Sequence, residues 1–167
     1  MAKKDNTNGV WVWLALTRLA LGFIFVWAFL DKLFGLGVAT PAARAWLNGG
    51  SPTTGFLKGV EGPFASFFNG LSGSVVADWL FMLGLLGIGL ALIFGVGMRV
   101  AAWSGAFLMT LMWAASLPLE NNPLIDEHLV YATVLLALGA APASQQKLSV
   151  ADKWRQLSFV KNNSWLQ

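Results

Sequence analysis

The sequence predicts an all-α integral membrane protein: a four-transmembrane-helix bundle with a long extracytoplasmic loop of short helices between the first and second spans. Three observations predict it. Of 167 residues, 56% are apolar and only 11% charged, about half the ~25% charge of a soluble domain, and the mean hydropathy is +0.62. Four apolar runs approach the ~20 residues that cross a hydrocarbon core. One connection between them is far longer than the others and is itself rich in aromatic residues. A water-soluble fold of this size has no interior large enough for so much apolar surface, which excludes a soluble enzyme, a nucleic-acid module and a disordered tail. The formal charge is +3, with the cations scattered along the chain, so it fits topology signals better than a nucleic-acid patch.

The first span runs from Val10 to Leu30. It is too long for the apolar region of a signal peptide, contains Arg18, and has no small-x-small cleavage site after it. The outer loop follows, from Leu33 to Ser74. Trp46, Leu47, Phe56, Leu57, Phe64, Phe67 and Phe68 need a surface to bury against, and Thr40-Pro41, Ser51-Pro52 and Gly62-Pro63 each resemble a cap followed by a first-turn proline. The expectation is a lid of two or three short helices over the outer mouth of the bundle. The remaining spans are Val75 to Val96, Val100 to Leu117 and Leu124 to Ala141, joined by a tight turn at Gly95–Arg99 and a short one at Pro118–Pro123. Residues 1–142 thus form the transmembrane domain, and residues 143–167 a polar tail. In that tail, Ser149 to Asp152 has capping-box spacing, and Val150, Trp154 and Leu157 share one face of a short interfacial helix.

An even number of spans puts both termini on one side. Seven basic residues (Lys3, Lys4, Arg99, Lys147, Lys153, Arg155 and Lys161) fall there, against Lys32, Arg44 and Lys58 on the other. The excess places both termini in the cytoplasm and the chain in the plasma membrane.

Two polar foci could carry chemistry. At the helical period, Arg18, Gly22, Phe25, Phe29 and Lys32 form one stripe, with the two cations about 21 Å apart along the axis. A charge so deep in a span is costly unless paired or hydrated. Arg18 and Lys32 are therefore candidate binding residues for a cofactor or anion; the alternative is that they snorkel and anchor. The second focus is Asn122 to Tyr131, where Asn122 is expected to cap the fourth helix and Pro123 to start it. Asp126 and Glu127 then lie near its positive end, which dipole compensation alone would explain. His128 and Tyr131 are neighbours on the helix surface. Asp126, Glu127 and His128 are the candidate catalytic residues, for handling protons, with Tyr131 as a hydrogen-bond partner. A histidine titrating near neutrality beside a carboxylate suits a redox carrier such as quinone, whose reduction takes up two protons. With no cysteine and a single histidine, neither haem, an iron–sulfur cluster nor a metal is expected. Gly87, Ala91 and Gly95 have small-xxx-small spacing, which suits helix packing or, alternatively, a groove for an isoprenoid tail.

The first-span pattern Arg18-Leu-Ala-Leu-Gly22-Phe-Ile-Phe25 leading to Lys32 resembles the DoxX/DoxD-like membrane proteins. Trp27-Ala-Phe-Leu-Asp-Lys-Leu-Phe-Gly35 and Lys58-Gly-Val-Glu-Gly-Pro-Phe-Ala65 are most similar to actinobacterial DoxD-like members, the membrane subunit of thiosulfate:quinone oxidoreductase. The resemblance runs from about Val10 to Pro142. It implies electron transfer from thiosulfate to menaquinone or ubiquinone with tetrathionate as product, and a second oxidoreductase subunit or a homo-oligomer as partner. A non-catalytic membrane scaffold or accessory subunit of a redox or stress-response complex is the alternative reading. A carrier of a small solute or lipid ranks last, because four spans without half-helix symmetry are few for alternating access.

Overall fold

The structure is a computed structural model that describes residues 7–166; Lys3 and Lys4, counted above toward orientation, lie outside the described residues. Among those described the chain is all-helical, with no strand. Four long helices form the body: α1 (Thr7–Phe34), α4 (Val75–Phe94), α5 (Met98–Ala115) and α6 (Glu127–Ala140). Between α1 and α4 lie two 3-10 turns and the short helices α2 (Thr54–Lys58) and α3 (Ala65–Gly70). After α6 the tail forms α7 (Ala151–Gln156), α8 (Ser158–Lys161) and a closing 3-10 turn at Ser164–Leu166.

Two helices, α1 over Gly9–Phe34 and α4, are long and apolar enough to cross a membrane. The third and fourth expected spans are weaker in this respect. Helix α6 has 14 residues, or roughly 21 Å at the α-helical rise, and α5 carries Arg99, Ser104 and Thr110 within its 18 residues. The fourth helix also begins later than the sequence suggested. Asn122 accepts the amides of Leu124 and Ile125 at 2.9 and 3.0 Å and so closes a turn, while Asp126 is the true cap, taking the Leu129 amide at 3.2 Å. Both residue types cap well, and only Asp126 lies three residues before an amide of a continuing helix.

Helix α1 packs along α4, and α5 along α6, with a looser α4–α5 seam between the pairs. The first pair touches backbone to backbone at Gly22 and Gly89. A Cβ on Gly89 would stand 2.9 Å from the Val26 nitrogen, and one on Gly22 would stand 3.0 Å from the Ile93 nitrogen. Small residues permit this approach, but the pair that makes it is Gly22–Gly89. Gly87 meets nothing within 4 Å, and Gly95 ends α4 in the left-handed region at φ 69°. The core gathers on Leu21, Phe25, Met82, Leu85, Leu92, Met109 and Leu135, with Tyr131 packed against its edge. A smaller cluster of Leu57, Val60, Phe68 and Ala115 seats the loop on the end of α5. The prolines of the loop precede three of its four helical segments, those that start at Ala42, Thr54 and Ala65.

The tail is folded onto the body. The Val150 amide donates to the Phe94 carbonyl at 2.9 Å, and the Trp154 indole donates to the Leu166 carbonyl at 2.7 Å. Ala151 and Val160 are its buried residues, whereas Val150 and Leu157 are exposed. The face expected to lie on a membrane interface is thus left uncovered by the fold at Val150 and Leu157.

Candidate functional site

The antiparallel body has a tail end, where α1 starts and α4 finishes, and a loop end, where α1 finishes and α4 and α6 start. The candidate residues divide between them.

Arg18 is at the tail end and is 2% exposed. One terminal nitrogen of its guanidinium donates to the carbonyls of Leu92 and Ile93, the latter at 2.9 Å. The other donates to the carbonyls of Lys147 and Leu148 at 3.1 and 2.9 Å. The last carbonyls of a helix lack intrahelical donors and carry partial negative charge. Arg18 supplies donors to the end of α4 and ties the tail to it in the same stroke. Its stripe faces inward as expected, with Gly22 and Phe25 buried beside it.

Lys32 is at the loop end, half-buried, with Nζ 5.8 Å from the centroid of the Phe81 ring, an arrangement of cation–π type. Asp126 and His128 meet there as a pair, His128 Nδ1 lying 2.7 Å from an Asp126 carboxylate oxygen. A carboxylate only accepts, so Nδ1 carries the proton in this contact and Nε2 is left to exchange one. Nε2 has no hydrogen-bond partner among the described residues. Burial alone would push the Asp126 carboxyl up, but the hydrogen bonds from His128 and the Leu129 amide outweigh it and hold it below the ordinary carboxylate value. Tyr131 lies one turn further along α6, half-buried against the core. Glu127 is exposed and joins no ion pair among the described residues. The structure thus joins Asp126 to His128, puts Tyr131 next along the same helix, and holds Arg18 at the opposite end.

Two further carboxylates, Asp31 and Asp78, are buried anchors of the loop. Asp31, 2% exposed, accepts the amides of Val38 and Ala39 at 3.3 and 3.2 Å. Asp78, 7% exposed, accepts from the Ser51 and Thr53 hydroxyls at 2.8 and 2.6 Å and from the Thr53 amide at 3.2 Å. The signal available was a lone acid at the end of an apolar helix facing a long loop with Ser and Thr. Among the described residues, no group of three or more His, Cys, Asp or Glu is placed to hold a metal ion.

Comparison of the chain with protein-family models, with curated proteins and with solved structures finds no match.

Proposed function

We propose that the chain is a four-span plasma-membrane protein, with α1, α4, α5 and α6 as its spans, that serves as the membrane component of a DoxD-like, quinone-linked oxidoreductase. The observation that carries the redox reading is the His128–Asp126 pair at the loop end. Two groups suit a quinone and its quinol: Nε2 of His128, which accepts from a quinol hydroxyl when the ring is neutral and donates to a quinone carbonyl when it is protonated, and, one turn on, the Tyr131 hydroxyl; both are without hydrogen-bond partners among the described residues. Quinone would supply a two-electron, two-proton acceptor. Asp126 holds the imidazole in one tautomer and steadies its charge when it takes a proton, His128 passes protons at Nε2, and Lys32 at the same end draws anions to the mouth. Two thiosulfate ions joining as one tetrathionate release the two electrons required.

The membrane reading is supported by the surface of the long helices. Trp13, Phe23, Val75, Leu80, Trp103 and Phe107 are all exposed, as expected where the neighbouring solvent is lipid. A scaffold is the second reading, and Arg18 favours it, because its guanidinium is committed to backbone carbonyls.

The test is thiosulfate-dependent reduction of a soluble quinone analogue by purified protein, alone and with membrane extract added back. His128→Gln keeps a hydrogen bond but cannot take up and pass on a proton, and is expected to slow turnover at least tenfold with quinone affinity within a few-fold. Asp126→Asn keeps the cap and is expected to slow turnover less. Equal rates in wild type and variants, or no reduction by the folded protein under either condition, would favour the scaffold.

A further inference from the structure

The turn between α5 and α6 has a polar half and an apolar half. Glu120, Asn121 and Asn122 are polar and exposed. After Pro123 come Leu124 and Ile125, which are 68% and 56% exposed and belong to neither apolar core. The main chain beneath these two side chains is closed off. Pro123 has no amide hydrogen, the Leu124 and Ile125 amides both donate to Asn122 Oδ1, and the Leu124 carbonyl accepts the Trp113 indole at 3.0 Å. In water such groups lose little by facing solvent, whereas in lipid each one left open is costly. Trp113 itself has the amphipathic form that collects where hydrocarbon meets head groups.

The helix that follows is short for its task. As a span, the 14 residues of α6 cover about 21 Å of a hydrocarbon core about 30 Å thick. Residues at its two ends make up the difference. At the loop end, Asp126 is spent on the Leu129 amide and His128, and the next in line are Ile125 and Leu124. Glu127, exposed in the first turn, limits the depth, and its Cβ tilts toward the helix N-terminus and so toward the water at the loop end. No Lys or Arg lies between Arg99 and Lys147, so attraction to anionic head groups plays no part and apolar contact has to suffice.

We infer that the α5–α6 turn is inserted into the lipid leaflet at the loop end, with Leu124 and Ile125 among the first acyl carbons and Glu120 and Asn121 in the water above. This rests on the membrane reading and deepens it at the candidate site. It sets His128, three residues beyond Ile125, at the head-group boundary, where a reactant dissolved in lipid can approach it.

Because the chain has no native cysteine, a nitroxide can be attached singly at Leu124→Cys, Ile125→Cys and Asn121→Cys, and at Phe23→Cys, which is 62% exposed on α1, as a reference within a span. Each full-length protein is reconstituted in phosphatidylcholine vesicles, with circular dichroism to check its helices. Power saturation then compares collisions with oxygen, which concentrates among acyl chains, and with a nickel chelate, which stays in water. Labels at 124, 125 and 23 are expected to favour oxygen at least threefold, and the label at 121 to favour the chelate. The sites at 124 and 125 are independent, so either one decides if the other perturbs the turn. A preference for oxygen at 23 with a preference for the chelate at 124 and 125 would overturn the insertion and leave the membrane reading standing. Preference for the chelate at all four positions would overturn both. Shielding of 124 and 125 from both agents would also sink the assignment, since protein rather than lipid would then cover the turn.

Discussion

Arg18 illustrates how far a residue's chemistry can be read before its neighbours are known. Its position in an apolar run says that the charge must be satisfied inside the bundle or at its edge, and the stripe shared with Gly22 and Phe25 points it inward. Its partners are main-chain carbonyls on α4 and in the tail. Removing a charged donor from buried carbonyls costs about 1–3 kcal/mol per unsatisfied group. Arg18→Leu is therefore expected to lower the thermal midpoint in detergent and to speed hydrogen exchange at the Val150 amide, which bonds Phe94 only while the tail is docked. Arg18→Lys is expected to recover part of this, because an ammonium lacks the planar fork that serves two pairs of acceptors at once. If Arg18→Leu leaves both the midpoint and the Val150 exchange unchanged, the tail is held by other contacts.

At the scale of elements, the helices follow from apolar runs cut by Gly and Pro, and their ends fall within a few residues of where composition changes. The glycines sort by what faces them. A Cβ at Gly89 meets Val26 and the Gly22 carbonyl, while one at Gly87 meets open space. Overpacking a tight crossing costs roughly 1–3 kcal/mol, so Gly89→Ala is expected to destabilise by that order. Gly87→Ala is expected to be neutral or stabilising by up to ~1 kcal/mol through helix propensity. Comparing the two variants' unfolding in the same detergent checks this, and equal effects would mean that α1 and α4 do not cross at Gly22 and Gly89. The sequence marked Gly87, Ala91 and Gly95 as the small-residue face because their spacing is regular. Spacing alone does not say which side of a helix meets a neighbour, and here Gly87 and Ala91 face the seam that stays open.

For the whole molecule, the consequence to test is orientation. Both the loop and the tail are folded onto the body, so probe sites must be exposed: Ser66 on α3 and Ser158 on α8 are, and neither side chain makes a hydrogen bond with a described residue. In intact cells, an impermeant thiol reagent is expected to label Ser66→Cys and spare Ser158→Cys until the membrane is opened, since the basic residues collect on the tail side. The reverse pattern would invert the topology.

The all-helical class, the positions of the four long helices, the long loop and the inward stripe of α1 were legible in the sequence, because apolar periodicity and helix-breaking residues are properties of the side chains in order. The pairing of His128 with Asp126 was half legible, being local to one helix start. The bonds of Arg18 to Leu92 and Leu148 were not, since they join residues 74 and 130 positions apart. Nor was the anchoring of Ser51 and Thr53 by Asp78, 27 and 25 positions away. Every residue carries a carbonyl, and Ser and Thr occur throughout the loop, so nothing in the chain marks which of them will accept or donate. That choice is made when packing α1 on α4 brings a particular helix end within reach of a particular side chain.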